Sequence, residues 1–410
     1  MKTCRVCKGN RLAKVLSLGE QPHCNSFLTF EQLNEPESRW PLELFYCHDC
    51  HLVQLGHVVD PKIMFREFLY VSGTTKTLRD HFKSSAESCI QRFGLPPQSL
   101  VVDIGSNDGT WLKYFKSLGM RVIGVDPAQN LAEMANAAGI PTLADFFTQD
   151  VALSIRQKNG PAAMITAAGV FFHIDDMDDV CRGIDALLAD DGVLHVQAIY
   201  LGKVLEQTSY DNIYHEHLSL YTLHPLIHLF KRFGMTIFDL EFSAIHGGSM
   251  LLYVCKEGAY PVKQSVQTQL DYEQEKGWNG VEAYHIFAEK VQKNRDELRR
   301  MIIDLKHQGK RIAAYAAPAK GNTLLNYCGL GRDLIDYAIE KAPLKIGRYT
   351  PGMHLPVVDE SQAMLNPPDY LLLLAWNFKD ELIQKNRAFL ENGGHFIVPI
   401  PEPYIVGRTF

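Results

Sequence analysis

The sequence has no hydrophobic run long enough to cross a bilayer; its longest aliphatic stretch, Leu371 to Ala375, suits a buried strand. No apolar signal region follows Met1-Lys2-Thr3-Cys4, so a cytoplasmic protein with no membrane partner is expected. Basic charge is in short supply: 41 Lys and Arg face 47 Asp and Glu, a formal net charge of −6. Without a basic excess the chain has little to offer a phosphate backbone, and no nucleic-acid partner is expected. The nine cysteines are an odd number, and four of them stand in two Cys-x-x-Cys units. That pattern fits metal binding in a reducing compartment better than a disulfide framework. Two short motifs are missing as well. There is no Gly-x-Gly-x-x-Gly dinucleotide fingerprint and no His-Glu-x-x-His helix of a zinc protease.

The most informative stretch present is Leu100-Val-Val-Asp103-Ile-Gly105-Ser106-Asn107-Asp108-Gly109-Thr110. A short apolar run ends in an acid, two glycines bracket a turn, and Trp111-Leu112 opens a helix. Glycine lets the backbone approach a ligand closely, and the first N–H groups of a helix are left for an outside acceptor. A second strand, Arg121 to Val125, ends in Asp126, where a carboxylate can bind both hydroxyls of a ribose. The pattern Asp-x-Gly-x-x-x-Gly followed by Gly-Val-Asp126-Pro127 resembles the S-adenosylmethionine (SAM) site of class I methyltransferases. Downstream, Asp145 could hydrogen-bond adenine and Phe146 stack on it, or the pair could be a turn acid and a core ring. Ala168, at the end of the fourth strand, is expected to line the same site.

At 410 residues the chain is long enough for roughly two or three domains. Cys4-x-x-Cys7 is answered by Cys47-x-x-Cys50, two knuckles whose thiolates can close one tetrahedral shell. A closed four-cysteine shell leaves zinc no open position, so the expected zinc is structural. Cys24 reads as a buried apolar residue. Helical periodicity is expected after Thr75, with Leu78, Phe82, Ile90 and Phe93 on one face, and again from about Leu270 to Lys306 as one long connector. The second α/β pattern begins at Arg311, and Ala319-Lys320-Gly321-Asn322 opens its first helix. A lysine beside free N–H groups at a helix start is a good place for a phosphate. Tyr214-His215-Glu216-His217 packs rings and a carboxylate densely, which is costly to bury without a task. There, Glu216 is expected to raise the pKa of a neighbouring histidine base or to orient it.

Taken together, the chain resembles the three-domain sugar C-methyltransferases of deoxysugar biosynthesis. The resemblance rests on the four cysteines, the Asp103–Gly109 loop, Tyr210-Asp-x-Ile-Tyr214-His-Glu216-His217, and His246-Gly-Gly-Ser249. It continues in Ala317-Pro-Ala-Lys320-Gly-Asn322-Thr-Leu-Leu-Asn326, Gly347-Arg348-Tyr349-x-Pro-Gly352 and Leu374-Ala-Trp376-Asn-Phe378, and so covers nearly the full length. It implies an α/β chain with a zinc-binding domain (1–75), a class I SAM methyltransferase domain of Rossmann type (76–260) and a second Rossmann-like domain gripping a nucleotide diphosphate (261–410). It also implies that His217 is the base, with Glu216, Tyr214 and Tyr70 in the same pocket. Lys320, Asn322, Lys345, Arg348, Tyr349 and His354 would hold a nucleotide-linked 4-keto-6-deoxysugar, methylated at carbon 3. Gln197, Met250-Leu251 and Glu340-Lys341 depart from the family's pattern and bear on which substrate is used. The rivals are an O- or N-methyltransferase and a zinc-bearing nucleotide-sugar-binding protein that does no chemistry. A monomer is expected, with a dimer as the alternative.

Overall fold

Three sheets follow one another along the chain in the computed structural model, which describes residues 3–65 and 71–407. The first joins β1 (Leu12–Gln21), β2 (Trp40–Cys47) and β3 (Val53–Leu55), all antiparallel. Leu42, Leu44 and Tyr46 alternate inward along β2, the period of a strand with one face on a core. A two-residue strand from far downstream, Ser219–Leu220, completes this sheet by pairing with β3.

The second sheet has the order β10-β11-β8-β7-β4-β5-β6. Its parallel strands are β4 (Leu100–Ile104), β5 (Arg121–Val125), β6 (Thr142–Leu143), β7 (Ala162–Ala168) and β8 (Leu188–Ile199). With Ser219–Leu220 counted as β9, the antiparallel pair β10 (Met235–Ser243) and β11 (Ser249–Lys256) closes one edge. Every residue of β4 is buried, as expected of a strand covered on both faces. The His246-Gly-Gly-Ser249 stretch is the turn of the β10–β11 hairpin.

The third sheet has the order β14-β13-β12-β15-β16-β17. Its strands are β12 (Ile312–Tyr315), β13 (Ala338–Glu340), β14 (Val357–Asp359), β15 (Tyr370–Leu373), β16 (His395–Val398) and an antiparallel edge strand β17 (Tyr404–Val406). The order reverses between β12 and β15, which opens a crevice at their carboxyl ends.

One expectation is corrected. The connector expected as a single helix from about Leu270 is two, Gln264–Glu275 and Glu282–His307. Gly277, at φ +71°, and Gly280 break it, because a left-handed residue cannot continue a right-handed helix. The apolar stripe Tyr284, Phe287, Val291, Leu298, Ile302 and Leu305 is buried on the second of them. Among the described residues, no helix is long and apolar enough to cross a membrane.

Candidate active site

The glycine loop sits between β4 and the helix Thr110–Ser117. Gly105 has φ +69°, and a Cβ there would lie 2.8 Å from a Val170 methyl; at Gly109 (φ +74°) it would meet Ile140 at 3.0 Å. Both positions therefore require glycine. Asp126, just past β5, receives the Asn107 N–H at 2.7 Å and the Ala128 N–H at 2.9 Å. Asp103 lies inside β4, accepting the Thr166 hydroxyl at 2.7 Å. Burial raises both carboxyls, Asp103 to about 8, with the neighbouring Asp126 charge adding to it. Among the described residues no basic side chain pairs with either acid. Ser106 Oγ is buried without a partner. Asp145 is exposed and accepts the Phe146 N–H, and the Phe146 ring is 38% exposed, whereas Phe147 is core. Pro127 follows Asp126, and Ala168 ends β7. Two unpaired acids, an orphan hydroxyl and an open ring suit an adenosine carrying a cationic centre, so the residues fit SAM.

The Tyr210–Asn212 turn and the residues up to His217 lie where the three sheets meet. His217 Nδ1 lies 2.6 Å from the Asn212 carbonyl oxygen. A carbonyl only accepts, so Nδ1 carries the proton, and in the neutral ring Nε2 carries the lone pair. The ring stands 3.8 Å from that of Tyr214, 4.5 Å from Phe172 and 5.4 Å from His173, centroid to centroid. The Glu216 carboxylate does not take the expected role of orienting His217. Its Oε1 receives His23 Nε2 at 2.9 Å and Asn25 Nδ2 at 2.6 Å, and the Asn212 carbonyl orients the histidine instead. The two residues sit in a turn closed by the His217 N–H on the Tyr214 carbonyl, where neighbours in sequence need not share partners. Tyr70 lies outside the described residues. Ser72 and Gly73, just after it, donate backbone N–H groups to Asn107 and Asp108 at 2.9 and 3.2 Å. His173 escaped sequence reasoning, although it follows the carboxyl end of β7, where ligands of such sheets gather. Burial pushes it down to about 3.

The substrate residues expected in the third domain divide. Lys320 is not the free cation expected at a helix start. It lies 3.6 Å from the fully buried Asp211 and 4.6 Å over the Trp376 ring. A largely buried ammonium needs a counter-charge, and Asp211 supplies it. Lys345 is compensated likewise, giving 2.8 Å to the Ala317 carbonyl and 3.7 Å to Glu340. Asn322 donates to the Cys24 carbonyl at 2.7 Å, leaving its own buried Oδ1 unpaired. Arg348 reaches the Phe27 carbonyl at 3.4 Å, Tyr349 bridges Leu28, and His354 faces Glu37 at 3.4 Å. Asn322, Lys345, Arg348, Tyr349 and His354 thus meet the Cys24–Glu37 segment of the first domain, whereas Lys320 lies with Asp211 and Trp376.

Cys4 Sγ and Cys50 Sγ are 3.5 Å apart, as are Cys7 and Cys47, and all four lie within 4.8 Å of one another. None is in a disulfide. Four thiols at this spacing cannot all ionise without a cation between them, so the set fits one zinc in a closed, structural shell.

The comparisons fall along the same three parts. A zinc binding domain model matches residues 4–65, a methyltransferase domain model residues 79–240, and a C-methyltransferase C-terminal domain model residues 244–401. The chain is 37% identical to the C-methyltransferase NovU of Streptomyces niveus over 404 residues, 98% of this chain and 96% of that protein. Among solved structures, magnesium protoporphyrin IX methyltransferase of Synechocystis with bound SAH aligns over 46% of this chain and 91% of its own, at 14% identity and TM-score 0.35. A SAM-dependent methyltransferase of Anabaena variabilis aligns over 42% of this chain and 84% of its own, at 18% identity and TM-score 0.35.

Proposed function

The chain belongs to the C-methyltransferase family, a SAM-dependent methyltransferase with a structural zinc, and from that premise we propose that it methylates carbon 3 of a nucleotide-linked 4-keto-6-deoxysugar. Three functional units, 1–75, 76–260 and 261–410, carry the zinc, the methyl donor and the nucleotide respectively.

The observation that carries the proposal is the fixed tautomer of His217. Carbon is a poor nucleophile, but a hydrogen beside a ketone is acidic enough for a placed base to remove. With Nδ1–H spent on Asn212, the basic Nε2 of His217 is the atom that takes the carbon 3 proton. Tyr214, whose ring lies tilted 3.8 Å from that of His217, is the donor that stabilises the enolate oxygen. SAM supplies an electrophilic methyl on a sulfonium, held by Asp103, Gly105, Ser106, Asn107, Asp108, Gly109, Asp126, Pro127, Asp145, Phe146 and Ala168. Holding the two reactants in line supplies much of the remaining acceleration.

The crevice between β12 and β15 supports the nucleotide half of the reading. It is a topological switch point beside the ten-residue helix Ala319–Cys328, and Asn322 Oδ1, Thr323 Oγ1, Asn377 Oδ1 and Asp211 Oδ1 are buried nearby without partners. With Lys320 and Lys345 compensated internally, backbone N–H groups and Arg348 are left to meet the diphosphate. The test is a dTDP- and a GDP-linked 4-keto-6-deoxyhexose with SAM in deuterated water, following product mass and deuterium at carbon 3. Methylation or exchange there is expected, and the sugar already reduced at carbon 4 should be inert. Methylation of the reduced sugar would replace this reading with O-methylation.

A further inference from the structure

The first domain does more than carry zinc. Its segment His23-Cys24-Asn25 reaches into the seam where the other two domains meet. Glu216 is buried, and its Oε1 is held by three donors of that segment: His23 Nε2 at 2.9 Å, Asn25 Nδ2 at 2.6 Å and the Cys24 thiol at 3.9 Å. His23 is fixed in turn by Ser26 Oγ at 3.0 Å on its other nitrogen. The backbone of the segment is clamped from the third domain, where Asn322 donates to the Cys24 carbonyl at 2.7 Å. On the far side of Glu216, Leu55 N–H bonds the Leu218 carbonyl at 2.9 Å, and Arg5, between the first two zinc ligands, reaches the same carbonyl at 3.1 Å. The stretch Glu216-His217-Leu218 is therefore gripped at both ends by the zinc domain.

We propose that His23 and Asn25 are positioning residues of the methyl-transfer site: together they fix the Glu216 carboxylate, and through it the loop that aims His217, so that the zinc domain forms one wall of the active site. This rests on the reading of His217 as the base. The physical reason for two donors on one oxygen is that a buried carboxylate without them is costly, and each charge-assisted bond restricts it to one direction. A displacement of about 1 Å in such a site costs on the order of 10²-fold in rate.

Asn25→Asp is isosteric but sets a carboxylate against Glu216, so it should lower the unfolding temperature and reduce kcat by roughly 10²-fold. SAM affinity by calorimetry and zinc content should stay at wild-type values. Adding Glu216→Gln to it restores one N–H···O bond with donor and acceptor exchanged. The unfolding temperature should then return, and kcat should rise with it, because the bond that fixes the loop is restored. His23→Gln, which keeps an N–H within reach, should retain more of kcat than His23→Ala at unchanged KM. Stability regained with no recovery of kcat in the Asn25→Asp, Glu216→Gln protein would mean that the contact is purely structural and overturn the proposal, as would wild-type kcat in Asn25→Asp. His23, Cys24 and Glu216 also lie within 4.8 Å of one another. A second equivalent of zinc per chain that is lost in His23→Gln would overturn it in favour of a metal site. The stability swap needs no sugar, so it is read even if the wild-type protein leaves the 4-keto sugars untouched, an outcome that sinks the substrate reading alone.

Discussion

The second and third sheets share a strand plan and differ in the charge at their strand ends. Around β4 and β5 the charges are acids, Asp103 and Asp126, with no basic partner among the described residues. Around β12 and β13 they are lysines, and each is matched: Lys320 by Asp211, Lys345 by Glu340. Burial raises the acids because only neutral donors, the Thr166 hydroxyl and two backbone N–H groups, oppose it, whereas it lowers the lysines against the resistance of their carboxylate partners. One sheet therefore keeps an electrostatic demand that a cationic ligand meets on binding. The other has met its demand internally, so any anion proposed for it would be held by backbone and geometry. Sheet order does not choose a ligand; the side chains set on the strand ends do.

If the chemistry lies on the side of the second sheet, His217→Asn should show the largest effect. It keeps the size and a hydrogen bond but removes the base, and kcat should fall by about 10²–10⁴-fold. SAM affinity should be unchanged, since Asp103 and Asp126 are untouched. Near-normal turnover in a methyl-transfer assay would move the base to Glu216 or Tyr70.

The next effect tests the matched side. Asp211→Asn leaves Lys320 without its counter-charge, and breaking a buried pair from one side costs roughly 3 kcal/mol or more. Denaturant unfolding should show that loss, and Lys320→Met added to it should recover most of it. Should Lys320→Met alone leave stability intact yet abolish sugar-nucleotide binding, the comparison breaks, and the phosphate role returns to this lysine.

Much of the second sheet was legible in the sequence because glycine positions and strand-end acids are local signals. The Asp103–Gly109 loop, Asp126 and the strand at Gly192–Gln197 lie where periodicity and turn chemistry put them. The cysteine pairs were legible too, from spacing alone. What could not be read is which residue answers which. Lys320 and Asp211 are 109 positions apart by number, and Glu216 finds its donors in His23 and Asn25, 193 and 191 positions away. Such pairings are set by how domains dock. Sequence adjacency suggested Glu216 for His217 and a phosphate for Lys320; docking gave each a different partner.

A smaller effect separates the two acids of the second sheet. On the proposed reading Asp126→Ala removes the acceptor for two ribose hydroxyls, and charge-assisted bonds of that kind contribute roughly 1.5–3 kcal/mol each. SAM affinity, measured by calorimetry, should weaken at least about tenfold. A change under about threefold would detach Asp126 from the cofactor. Unlike Asp211→Asn, this variant strands no buried cation, so its unfolding midpoint should move less.

Asp103 gives the clearest sign. In the unfolded chain it titrates near roughly 4, but in the fold burial lifts it to about 8. Between those values the folded protein carries a proton that the unfolded chain has released. The unfolded state then binds fewer protons, so stability falls as pH rises through this window and levels off above it. The slope from this one group is at most about 1.4 kcal/mol per pH unit. Asp103→Asn cannot ionise yet keeps an acceptor for the Thr166 hydroxyl, so it should lose that part of the decline. Urea unfolding of both proteins at successive pH values from 5 to 8 should give curves that diverge upward in pH, with the variant relatively more stable at 8 than at 5. Parallel curves would mean that Asp103 ionises as an ordinary carboxylate, and the contrast between an unmatched acid and a matched lysine would then rest on Asp126 alone.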